Sequence, residues 1–76
     1  MADFRIWGTI EHVGPQEFCV IATSTPDPPH SALLSESDRE TFESLNLANA
    51  GRDRMILQMA ARVRARGDRV VDVEEG

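Results

Sequence analysis

Residues 37–67 read SDRETFESLNLANAGRDRMILQMAARVRARG and predict a helical layer. Ser37-Asp38-Arg39-Glu40 has the S-x-x-E capping-box form, in which a serine hydroxyl and a glutamate carboxylate satisfy the free amides of a first turn. Asp38, Glu40 and Glu43 crowd that turn. Arg62, Arg64 and Arg66 crowd the last one, ahead of Gly67, as the partial charges of helix ends and a glycine cap favour. At the helical period, Phe42, Leu45, Ala48, Ile56, Met59, Ala60 and Val63 form one apolar stripe. Its phase holds throughout, yet Asn46, Asn49 and Gly51 are poor helix formers. A single helix from Asp38 to Arg66 would run about 43 Å, long for a chain with an expected radius of gyration of about 11 Å. The expectation is therefore two helices, or one kinked helix, with a break near Asn49-Ala50-Gly51.

Working back toward the N-terminus, residues 4–13 alternate as a strand, with Phe4, Ile6, Gly8 and Ile10 on one face and Arg5, Trp7, Thr9 and Glu11 on the other. Gly14-Pro15 makes a turn. Residues 17–25 form the return strand, Phe18, Val20 and Ala22 alternating with Cys19, Ile21 and Thr23. An odd-length loop would set Ile10 opposite Val20 and Gly8 opposite Ala22, keeping one face apolar, and this register is expected. Pro26-Asp27-Pro28-Pro29 then opens a connection over residues 24–35, because proline fixes φ and disfavours helix in the residue before it. Pro26 and Pro29 match a bare P-x-x-P pattern without a basic flank, so a crossover loop is preferred to a polyproline ligand.

At the other end, residues 69–74 read as a short strand, with Val71 and Val73 on one face and Val70 on the other. The whole chain, residues 1–76, is then a single small α+β domain. An N-terminal β-hairpin and a short C-terminal strand make a three-stranded antiparallel sheet of order 2-1-3, and the helical layer lies on one face.

With 76 residues the chain sits near the lower limit for a core unaided by disulfides or metal. Its single cysteine, Cys19, can form no internal disulfide. Met1-Ala2-Asp3-Phe4 lacks the basic region and apolar run of a secretory signal, and no run is long enough to span a bilayer, so a cytoplasmic setting without membrane contact is expected. The net charge of −5 is unevenly spread: residues 1–51 hold eight acids against Arg5 and Arg39, whereas residues 52–69 hold six arginines against Asp53 and Asp68. All eight cations are arginine. In size, arginine-only usage and element order the chain resembles short uncharacterised proteins of high-GC proteobacteria such as Burkholderia. The resemblance implies no catalytic or binding residue.

Few side chains suggest chemistry. Cys19 with His12 or His30 is the only pairing that could support nucleophilic catalysis, but Cys19 lies mid-strand among apolar neighbours in the acidic half. It reads as a small packed hydrophobe. His12 beside Glu11 could ligate metal, yet the histidines and the cysteine lack ligand spacing. No catalytic residue, metal site or cofactor is expected. Arg54, Arg62, Arg64, Arg66 and Arg69 could contact phosphates, but they point in several directions around the helix and the overall sign is acidic. They read first as a rim whose stems cover the sheet edge and whose heads pair with acids, so nucleic acid is not the preferred partner. Trp7, Cys19 and Ile21 share the face away from the helices. Either they form a contact surface, or Leu33 and Leu34 fold back over Trp7. The sequence thus predicts a small non-enzymatic interaction or regulatory module, binding a protein partner or a second copy of itself through Trp7, Cys19 and Ile21 or an unpaired edge strand. A nucleic-acid-binding regulator using the helix arginines is the alternative.

Overall fold

Apolar alternation carries the first two strands as read. In the computed structural model, which describes residues 2–27 and 35–73, β1 (Asp3–Gly14) pairs antiparallel with β2 (Glu17–Pro26). Ile10 stands opposite Val20 and Gly8 opposite Ala22, as expected. Pro26 completes β2 opposite Phe4, and the Asp27 N–H donates to the Asp3 carbonyl at 2.8 Å. Pro28, Pro29, His30, Leu33 and Leu34, and the fold-back assigned to those leucines, lie outside the described residues.

The capping-box reading is corrected by a third strand. β3 (Glu36–Phe42) pairs antiparallel with β2, so Ser37-Asp38-Arg39-Glu40 is extended rather than helical. Its period is two: Glu36, Asp38, Glu40 and Phe42 join the face of Ser24, Ala22, Val20 and Phe18, while Ser37, Arg39 and Thr41 share the other face with Thr23, Ile21 and Cys19. The acids serve as partners for helix arginines instead of a helix N-terminus. Arg54 reaches Glu40 at 2.5 Å, Arg62 reaches Asp38 at 2.8 Å and Glu36 at 3.6 Å, and Arg66 also pairs with Glu36.

The helix is one element, α1 (Leu45–Ala65), capped by Ser44, whose hydroxyl accepts from the Leu47 N–H at 3.2 Å. Its first turn holds no acid. The expected break at Asn49-Ala50-Gly51 does not occur, and the reason is packing. A Cβ on Gly51 would lie 2.1 Å from Cζ of Phe42, so glycine is what lets the helix pass over that ring. Twenty-one residues span about 32 Å, which fits a molecule 42 Å along its longest axis. Gly67, at φ +90°, ends the helix in the left-handed conformation that glycine adopts freely.

β4 (Arg69–Val73) lies beside β1 as expected, but runs parallel to it, giving a four-stranded mixed sheet of order β3-β2-β1-β4. The cause is the unforeseen β3. Each successive element reverses the chain, so the fifth runs with the first. A bulge between Val70 and Asp72 leaves Val71 exposed and turns Val70 and Val73 toward the helix.

The core lies between α1 and one sheet face. Phe4, Ile6, Val20 and Ala22 meet Ala48, Met55, Ile56, Met59, Ala60 and Val63. Leu45, assigned above to the stripe, is exposed. Arg69 grips Asp3 through two hydrogen bonds of 2.9 and 3.0 Å, tying the start of β4 to that of β1. The Arg69 hydrogen bond holds the Asp3 carboxyl below its ordinary range, against a smaller opposing effect of desolvation. A carboxyl depressed in the folded state stabilises the fold above its unfolded pKa and ceases to do so as pH falls through its folded value. Acid unfolding followed by circular dichroism should therefore show a shallower loss of stability below the ordinary carboxylate range in Asp3→Asn than in the parent. An unchanged acid limb would refute the assignment.

Candidate functional site on the sheet face opposite the helix

A sheet covered by a helix on one side has a second face to account for, and strand alternation decides what it carries. Trp7, Thr9 and Glu11 of β1 lie across from Thr23, Ile21 and Cys19 of β2, which lie across from Ser37, Arg39 and Thr41 of β3. The three candidates Trp7, Cys19 and Ile21 are thus brought onto one face, and all are half-buried. Among the described residues no element packs on this side.

Hydroxyls fill much of the remainder. Thr23 and Ser37 are 3.2 Å apart and Thr25 and Ser35 3.0 Å, so one end of the β2–β3 pair carries short polar groups on this face. Beside β4 the face becomes charged: Arg5 pairs with Asp72 at 3.2 Å and approaches Asp27 at 4.0 Å. Arg5, Ile6, Trp7 and Asp72 line a shallow cleft of about 240 Å³. Sequence reasoning singled out neither Arg5 nor Asp72. Their link depends on β4 running parallel to β1, which single-strand patterns do not encode.

His12 stacks on Phe18 at 4.5 Å with rings 10° from parallel, and strand alternation puts it on the face opposite Cys19. The Cys19–His12 pairing is therefore not assembled. Among the described residues, no cluster of three or more histidine, cysteine, aspartate or glutamate side chains could hold a metal ion. The hydroxyl of Ser24 is fully buried on the helix side with no hydrogen-bond partner.

Of the arginines considered for phosphate contact, Arg54, Arg62, Arg66 and Arg69 each hold a carboxylate, and the Arg66 guanidinium lies 5.0 Å from the centre of the Phe4 ring. Arg64 is exposed near the end of the helix. No helix among the described residues is long and apolar enough to cross a membrane. Comparison with protein-family models, with curated proteins and with solved structures finds no match.

Proposed function

We propose that the protein is a small interaction or regulatory module without chemistry of its own, and that Trp7, Cys19 and Ile21 form its contact surface for a protein partner. One observation carries this reading: the helix covers a single face of the sheet, and the lone tryptophan sits on the other with two more apolar side chains. Tryptophan supplies a large apolar area at low entropic cost, and such residues anchor interfaces when set among small polar groups. The carboxylates around the helix arginines support a protein contact over a phosphate backbone, whose binding requires concentrated positive charge.

The reading makes two linked predictions for the dilute chain. Iodide or acrylamide should quench Trp7 fluorescence readily, and Trp7→Ala should alter unfolding free energy by less than about 1 kcal/mol, as for a half-buried side chain outside the core. A quencher-resistant tryptophan together with a loss of about 3 kcal/mol would identify Trp7 as a core residue covered by the chain itself, and would refute the contact surface.

A further inference from the structure

Backbone direction along β2 separates two sets of hydrogen bonds. The Asp27 N–H donates to the Asp3 carbonyl, and the register keeps odd β2 residues opposite odd β1 residues, so the odd-numbered groups of β2 bond to β1. The even-numbered groups point the other way. Val20, Ala22 and Ser24 bond to Glu40, Asp38 and Glu36 of β3. The two flanking strands are backed differently. β1 brings Phe4 and Ile6 to the core, whereas the inward residues of β3 are three acids and, at its far end, Phe42. What joins those acids to the helix is ion pairs: Glu36 with Arg62 and Arg66, Asp38 with Arg62, and Glu40 with Arg54.

We propose that β3 is a salt-released strap: Glu36 to Glu40 leave β2 together, pivoting at Phe42, while β1, β2 and the helix stay folded. Phe42 is fixed as the pivot by its close fit to Gly51 and its packing against the core. The clasp is of the kind that dissolved ions weaken, since the paired side chains are 35–48% exposed. While shut, β3 occupies the outward pairing groups of Val20, Ala22 and Ser24. Once open, that stretch of β2 is a bare sheet edge. The inference goes beyond the contact-surface reading and does not depend on it.

Ser24 favours opening on separate grounds. It is fully buried on the helix side, opposite Glu36, and its hydroxyl has no hydrogen-bond partner among the described residues. A hydroxyl removed from water without a partner raises the free energy of the shut state. Lifting Glu36 away lets water reach it, so the penalty is relieved without unfolding the core. The strain therefore lies beneath the end of the strap farthest from the Phe42 pivot, where release would begin.

Native-state hydrogen exchange, read residue by residue by NMR at constant pH, provides the test. The amides of Val20, Ala22, Asp38 and Glu40 should exchange through one shared opening, at least about tenfold faster than those of Cys19, Ile21, Met59 and Val63, which follow global unfolding. Neighbours along β2 should thus differ by parity. Raising sodium chloride from about 20 to about 500 mM should speed the first set about fivefold relative to the second. Arg62→Gln should produce a similar gain at low salt and leave a weaker salt response. Ser24→Ala should slow the Val20 and Ala22 amides about fivefold, because opening no longer hydrates a hydroxyl. The proposal is overturned if β2 amides exchange together regardless of parity, if salt moves both sets alike, or if neither Arg62→Gln nor Ser24→Ala alters the first set. Trp7 quenching is independent of these outcomes, so the strap can fail while the contact face stands.

Discussion

Gly51→Ala is expected to destabilise the protein by about 2 kcal/mol, although alanine is the better helix former by about 1 kcal/mol. The new methyl would sit 2.1 Å from Cζ and 2.7 Å from both Cε atoms of Phe42, far inside contact distance. Phe42 has little room to withdraw, since it faces Phe18 across the β2–β3 ladder and packs against the core. Removing the ring should reverse the sign. In a Phe42→Ala background, Gly51→Ala should stabilise the helix by up to about 1 kcal/mol, the propensity alone. Urea unfolding of the four chains measures both, and Gly51→Ala at or above parental stability would refute the packing argument.

Ile6→Ala should cost more, about 3–4 kcal/mol. Ile6 is 1% exposed, the largest of the fully buried side chains, and it lies on the helix-facing side of a strand that is paired on both flanks. Chains of this size have about 4–11 kcal/mol to lose, so the variant should be close to unfolded at warm temperature. Chemical denaturation is the measurement, and a loss under about 1 kcal/mol would mean that Ile6 is not the centre of the core. The next residue along the chain, Trp7, is expected to tolerate the same truncation, which makes the pair a direct comparison of the two sheet faces.

How much of this was legible in the sequence depended on whether the signal was local. The hairpin, its register, the single-sided helical layer and the place of the last strand beside the first followed from alternation of Phe4, Ile6, Val20 and Ala22 and from the glycine stop at Gly67. β3 did not follow. Apart from Phe42 its inward residues are acids, and their partners Arg54, Arg62 and Arg66 lie 14, 24 and 30 positions away. A period-two run of acids matched by arginines on one flank of a later helix was the available signal, and the chance S-x-x-E spacing concealed it. Gly51 misled because propensity describes an isolated helix, whereas the residue answers to a ring from another element. The candidate contact residues Trp7, Cys19 and Ile21 were placed on a common face from strand period alone, but the neighbours Arg5 and Asp72 required the parallel strand.

Packing of the helix on one face of the sheet leaves its mark on the numbering itself. Along β1 and β2 the even positions from Phe4 to Ile10 and from Phe18 to Ser24 point toward the helix, and the odd ones point away. Variation among natural or selected versions of this chain should therefore be sorted by parity, with even sites constrained by folding and odd sites free to follow whatever they touch. In β4, where Val70 and Val73 both turn inward across the bulge, the rule changes phase.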